Sequence, residues 1–399
     1  VHPIIARFRN ATALTTWLAG LVLLVSAPGG YGQGWPGMAP PAFVRQAQLD
    51  TRLRSLLDAA VRRALPGVSL RVTGPGIDYR GAAGVANLAT GEPLTTEHAM
   101  YIASLGKAFT ATIALQLCEE GRLELDSPIT TWLPPDIAAR IPSSDKITLR
   151  RLLGHRSGLT DYLNDDEAWR RDFVKDPRRA WSNRDVAPYL LDRPLLFEPG
   201  TEFRYSNSNY ILAGIIIERV TGRPLHALIR ERILDPLDLQ HSFHGHEAIE
   251  TDKLAHGYVH WRGRRIDTFP WFHHEGLADS GMRGTPDDIS RFLKSLLTKD
   301  VLLSEAMRAE LTRIPASSYP PSSYGLGLYV HRDLWGDRTA YTHDGVDPGY
   351  EADMLYFPDL ELTIVLCANG SLGPASRIYE RLLCAVIRTV LHTMRRSSE

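Results

Sequence analysis

Ser104 and Lys107 are the pair in this chain whose types and spacing could make an activated nucleophile. They stand in Ser104-Leu105-Gly106-Lys107, directly ahead of the apolar run Ala108 to Glu120. Residues three apart share one face of a helix, so a serine in the opening turn sets its hydroxyl beside the lysine amine. A lysine desolvated at a helix N-terminus can lose its charge near neutral pH and take the serine proton. The same terminus aims backbone N–H groups at a developing oxyanion. A second copy of the spacing, Ser143-Ser144-Asp145-Lys146, follows Pro142 in a polar loop with no apolar helix behind it. Only the copy at 104 follows a strand-like stretch, Met100-Tyr101-Ile102-Ala103, and opens a helix. By spacing alone, a nucleophile and a chance match both stay open.

Two further groupings could serve such a pair. Tyr205-Ser206-Asn207 lies in a loop ahead of an apolar helix from Ile211 to Val220. A tyrosine and an amide two residues apart on a loop can enter one cleft. Tyr205 could then relay the proton that leaves Ser104, and Asn207 could hold a substrate carbonyl or fix Lys107. The competing reading is a turn that caps the following helix. His343-Asp344-Gly345 is expected at the end of a strand, before the turn Asp347-Pro348-Gly349; His274-Glu275-Gly276 imitates it without flanking strands. A rival chemistry would use His241, His244 and His246 as zinc ligands, but their spacing falls in a loop rather than on one helix or strand face. Three cysteines, Cys118, Cys367 and Cys384, allow at most one bridge and read as buried thiols in apolar elements.

The elements that must position these groups read as α+β. Apolar spacing predicts an amphipathic helix over 43–65, stopped by Pro66-Gly67, then a hairpin of two strands, 68–73 and 77–86. Mostly helical sequence follows to about residue 250. Next come a His- and Gly-rich stretch, a helix over 286–297, strands over 324–331, 339–343, 351–357 and 362–368, and a helix over 375–393. This order argues for an antiparallel sheet flanked by the N- and C-terminal helices. A mainly helical subdomain, residues 108–279, is inserted into a single catalytic domain spanning 43–393, whose remaining α/β part covers 43–107 and 280–393. A site would lie in the seam between the two parts.

With 44% hydrophobic and 23% charged residues and a net charge of -1, the 399-residue chain has an ordinary globular composition. Its charges are mixed along its whole length, which excludes a nucleic-acid-binding face. Arg7 and Arg9 precede an apolar run from Trp17 to Val25, followed by small residues and Pro28-Gly29-Gly30. That pattern predicts an export signal within residues 1–32, followed by a Gly/Pro-rich leader over 33–42. The expected location is secreted or periplasmic. Nine apolar residues are too few to span a bilayer, so no stable membrane insertion is expected after cleavage.

Taken in order, Ser104-Leu105-Gly106-Lys107, Tyr205-Ser206-Asn207 and His343-Asp344-Gly345 resemble the motifs of the class C β-lactamase and D-alanyl-D-alanine carboxypeptidase family of serine hydrolases. The likeness runs from about Leu49 to Leu391. It includes Leu123-Glu124-Leu125-Asp126, Leu152 to Leu159, Phe197-Glu198-Pro199-Gly200 and Tyr324 to Leu328. The resemblance implies a β-lactamase/transpeptidase-like fold and an acyl-enzyme formed on Ser104, with Lys107 and Tyr205 sharing acid and base work. It makes Asn207 and the segment His343, Asp344, Gly345 and Val346 the substrate-binding residues, with the backbone N–H groups of Ser104 and Val346 as oxyanion hole. It implies no metal or organic cofactor, and a peptide, ester or small-molecule partner such as a cell-wall peptide or a β-lactam.

The third motif departs from the family pattern twice. His343 stands where most β-lactamases have a lysine, which removes a fixed positive charge. Asp344 stands where a small or hydroxyl residue is usual. An inward Asp344 would repel a substrate carboxylate; an outward one would say nothing about substrate. Read inward, the pair argues for an esterase or a peptidase acting on neutral or cationic substrates, unless Arg283 or Arg332 compensates.

Overall fold

The computed structural model describes residues 42–245, 253–261, 264–272, 276–315, 322–332, 335 and 338–395. The segments expected to be an export signal and leader, up to residue 41, together with His246 and the mimic at His274, lie outside the described residues. Helix α1 (Ala42–Arg63) buries Leu49, Leu53, Leu57 and Ala60 at one-turn spacing. Arg62 and Arg63 sit in its last turn, where cations offset the negative end of the helix dipole. Strands β1 (Gly67–Gly74) and β2 (Ile77–Asn87) then pair from Gly74 and Ile77 outward, as the hairpin reading expects. Gly76, at φ 69°, gives the two-residue turn the left-handed conformation it needs.

These strands join β3 (Glu92–Pro93), β4 (Ser322–Tyr324), β5 (Tyr329–His331), β6 (Ala340–Asp347), β7 (Tyr350–Phe357) and β8 (Leu362–Ala368). The eight-stranded antiparallel sheet runs β3-β2-β1-β8-β7-β6-β5-β4. Every residue of β7 and β8 is buried, because both faces of the sheet are covered. One face packs on a helical body that includes α2 (Gly106–Glu119), α3 (Ser208–Thr221) and α4 (Pro286–Thr298). Phe109 of α2 stacks on Phe292 of α4 with ring centroids 3.7 Å apart. Burying each such ring stabilises the body by about 1.5–3 kcal/mol. The other face takes α1 and the last helix, α5 (Pro374–Arg395), whose Tyr379, Leu382, Leu383, Val386, Ile387 and Val390 form one apolar stripe. Among the described residues, no helix is long and apolar enough to cross a membrane.

The stretch expected to be one strand over 324–331 is the hairpin β4–β5. Gly327, at φ 96°, turns the chain, and a side chain there would lie 2.7 Å from Ala111 Cβ on α2. The third motif, expected at a strand end, lies inside β6, because pairing with β7 continues to Asp347 and Tyr350. Short strands also occur in the His- and Gly-rich stretch, including the hairpin Tyr258–Trp261 and Arg264–Asp267. None of the three cysteines is in a disulfide, and burial pushes the Cys367 thiol up.

Candidate active site

Ser104 sits in a single 3-10 turn, Ala103–Leu105, that runs straight into α2. Ala103 holds φ 49°, a left-handed conformation that costs a non-glycine residue about 1–3 kcal/mol. A three-stranded sheet holds this turn in place. In it Met100–Tyr101 pairs with Met282–Gly284, which also pairs with Phe243–His244. The Ile102 N–H donates to Met282 O at 3.1 Å, which brings the residues before Met282 over the start of α2. The approach is close enough that a Cβ on Gly106 would overlap Ser280 O. From the sheet side, a Cβ on Gly345 would overlap Ile102 O and lie 3.1 Å from Ser104 N, so β6 runs against the serine turn with no room for a methyl group.

Lys107 is 0% exposed, and its three N–H bonds have three acceptors. Nζ donates to Ser104 Oγ at 3.0 Å, to Asn207 Oδ1 at 2.7 Å and to Asp279 O at 2.7 Å. Burial lowers its pKa, and the carboxylates of Asp279, Asp161, Asp347 and Asp344 work against that fall. Tyr205 lies with its ring centroid 5.1 Å from Nζ. Burial holds its phenol well above the usual range, and a hydrogen bond with Ser104 pulls it partway back. The Ser104 hydroxyl therefore touches both candidate proton carriers.

The loop bearing Tyr205 is fastened by consecutive polar residues onto residues 155–161. Ser206 Oγ and Ser208 Oγ donate to Thr160 O at 3.1 and 2.7 Å. Asn207 Nδ2 donates to both oxygens of buried Asp161 at 3.2 and 3.1 Å, which leaves its Oδ1 aimed at Lys107. The Ser206 N–H and the Asn209 amide, at 3.2 and 3.1 Å, meet Nδ1 of His155, whose ring stacks on Tyr205 at 4.2 Å. Burial, then the charge of Lys107, lowers the His155 pKa well below its usual value and keeps the ring neutral. Buried side chains that find partners only at this register explain why a polar run precedes an apolar helix. Of the two readings of this loop, the cleft reading describes Asn207: it is the N-cap residue of α3 but makes no side-chain capping bond, and its amide is spent on Lys107 and Asp161.

His343 is 1% exposed. Its Nδ1 is 2.7 Å from Asp344 O, which can only accept, so Nδ1 carries the proton and Nε2 accepts from the Tyr324 hydroxyl at 2.9 Å. The imidazole thus stands behind the cleft wall and does not line the cavity. Asp344, Val346 and Asp347 do line it, together with Ser104, Tyr205 and Asn207. Pairing of β6 with β5 stops at Thr342, so the strand from His343 onward has an open edge toward the cavity. The cavity holds about 650 Å³, and Leu163, Trp169, Phe173, Val174 and Trp271 form its apolar wall. Arg283 is buried against the rings of Tyr101 and Phe243, and Arg332 lies at the end of β5; neither lines this cavity. His244 Nε2 lies 3.2 Å from Leu277 O.

Asp161, Asp279, His155 and the aromatic wall are functional candidates that the sequence reading did not single out. His155 stood inside the motif-like stretch Leu152 to Leu159, and Asp161 follows it by six residues. The carbonyl of Asp279 had no sequence signal at all, because any residue supplies one.

The β-lactamase family model matches residues 49–387. Penicillin-binding protein 4* of Bacillus subtilis (strain 168) is 26% identical over 318 residues, covering 76% of this chain and 68% of that protein. Esterase EstB of Burkholderia gladioli is 29% identical over 301 residues, covering 67% of this chain and 75% of the esterase. Among solved structures, D-amino acid amidase from Ochrobactrum anthropi SV3 superposes with a TM-score of 0.74 at 27% identity, over 88% of this chain and 99% of the amidase.

Proposed function

Because this chain belongs to the β-lactamase family of serine hydrolases, we propose that it is an exported enzyme that cleaves an amide or ester through an acyl-enzyme on Ser104. The observation that carries this reading is the 3.0 Å contact between a fully buried Lys107 Nζ and Ser104 Oγ. Ser104 Oγ bonds to the substrate carbonyl carbon while its proton passes to neutral Lys107. Backbone N–H groups of Ser104 and Val346 receive the oxyanion. The C–N or C–O bond then breaks as the proton returns to the leaving atom through Tyr205. Water attacks the Ser104 ester by the reverse relay and releases the acid. Asn207, held by Asp161, keeps Lys107 aimed at Oγ. The apolar run Trp17 to Val25 behind Arg7 and Arg9 supports export.

The test is intact-mass spectrometry after incubation with a p-nitrophenyl ester, a D-Ala-D-Ala peptide and a penicillin. The expected result is an acyl adduct from at least one of them, mapping to Ser104. Adducts on another residue, or turnover with Ser104 unmodified and insensitive to a phosphonate, would overturn the assignment.

A base of this kind also sets a pH dependence. Lys107 must be neutral to accept the proton, so kcat/KM falls as pH drops through its folded pKa. That pKa is lowered, so the unfolded chain binds the extra proton in the window below the ordinary lysine value, and folding stability rises with pH there. Asp279 opposes the lowering. Asp279→Asn is therefore expected to move the acid limb of the kcat/KM profile to lower pH, with the Tyr162 hydroxyl still able to donate to the amide oxygen. A limb that stays put or moves up would assign it to another group.

A further inference from the structure

Resting on Ser104 as nucleophile, we propose that Asp344 is the specificity-determining residue of the cleft, selecting substrates with an ammonium near the scissile carbonyl and an aromatic or branched apolar group beyond it. Three observations converge on this assignment. Asp344 is half-buried on the cavity wall that it shares with Ser104. The next residue, Gly345, lies against the backbone of Ser104 itself, which sets the backbone of Asp344 one residue from the serine turn. Asp344 also precedes by two positions Val346, whose N–H would take the oxyanion. At about 3.3 Å per residue along a strand, a group lying near Asp344 is within roughly 7 Å of the carbonyl.

The charge of Asp344 reaches the site. After burial it is the leading electrostatic cause that raises the phenols of Tyr205 and Tyr329. Lys107 is enclosed by its three acceptors behind the cavity; of the two arginines that line it, Arg204 pairs with Asp165 at 2.6 Å and Arg170 is exposed to solvent. A substrate carboxylate at this wall would meet like charge, whereas an ammonium would meet an opposite one in a partly desolvated cleft. Leu163, Trp169, Phe173 and Trp271 in the cavity lining supply apolar area for a neighbouring side chain.

Three p-nitroanilides of phenylalanine, each as both stereoisomers, test the assignment: one with a free α-ammonium, one N-acetylated and one N-succinylated. The expected kcat/KM order in the wild-type enzyme is ammonium, then acetyl, then succinyl, with at least about a tenfold step between the first and the last. In Asp344→Asn the ratio of ammonium to succinyl substrate is expected to fall at least tenfold. The ratio compares two substrates on one protein, so a general loss of stability cancels. Should that variant fail to fold, protection of wild-type Ser104 from phosphonate labelling decides: 2-phenylethylamine is expected to protect, and 3-phenylpropionate is not. Equal turnover of ammonium and succinyl substrates, an unchanged ratio in the variant, or better protection by the acid would overturn the role of Asp344. Absence of any phosphonate adduct on wild-type Ser104 would instead overturn the nucleophile assignment beneath it.

Discussion

Ser104→Ala is expected to lose hydrolysis by at least about 10⁴-fold and covalent labelling altogether, while folding normally. The magnitude follows from removing the nucleophile of a coupled unit, after which only binding and oxyanion contacts remain. The fold survives because the change deletes one partly exposed hydroxyl at the start of α2 and leaves the backbone of the Ala103–Leu105 turn intact. Lys107 keeps two of its three acceptors, Asn207 Oδ1 and Asp279 O. The loss of one hydrogen bond costs about 0.5–1.5 kcal/mol. Intact-mass spectrometry with a phosphonate, turnover of a p-nitrophenyl ester and thermal unfolding check the three parts together. Unchanged ester turnover in a variant that cannot be labelled would place the chemistry outside this site.

Lys107→Met is expected to slow single-turnover acylation by about 10²–10⁴-fold, the usual contribution of a positioned general base. Methionine keeps most of the length of the stem in a site with no solvent, but it can neither accept the Ser104 proton nor donate to Asn207 Oδ1 and Asp279 O. Those two buried acceptors then lack their donor, at about 1–3 kcal/mol each, partly offset by no longer burying an amine. Substrate binding is expected to change less than acylation, because Lys107 is fully buried behind Ser104. Rapid-quench measurement of the acyl-enzyme separates the two. An acylation rate equal to wild type would move the base role to Tyr205 or to the Tyr324–His343 pair, whose hydroxyl and Nε2 are 2.9 Å apart.

The parts of the fold that depend on neighbours along the chain were legible. Helices α1 and α5 announce themselves by apolar residues at helical period, and β1, β2 and β8 by runs of strand-forming residues between turns, because each buries one face or both against whatever covers it. The expected ends of these elements fall within two residues of the observed ones. The β4–β5 hairpin was read as one strand because its glycines mark a turn only once α2 is known to press against Gly327. Glycine has no side chain to betray which neighbour it makes room for.

The Ser104–Lys107 contact could be read from the sequence because three-residue spacing on a helix is local geometry. What encloses that lysine away from water is not local. Asn207 reaches Lys107 from 100 residues away, Asp279 O from 172, and Asp161 orients Asn207 across 46. Sequence alone thus determined the pairing of Ser104 with Lys107, the terminal helices and the strands that bracket the chain. Tertiary structure decided that His343 stands behind the wall, that Asp344 faces the cleft, and that Lys107 is wholly removed from water. Each of these depends on burial, and burial is set by the elements that pack around a residue rather than by the residues beside it in the chain.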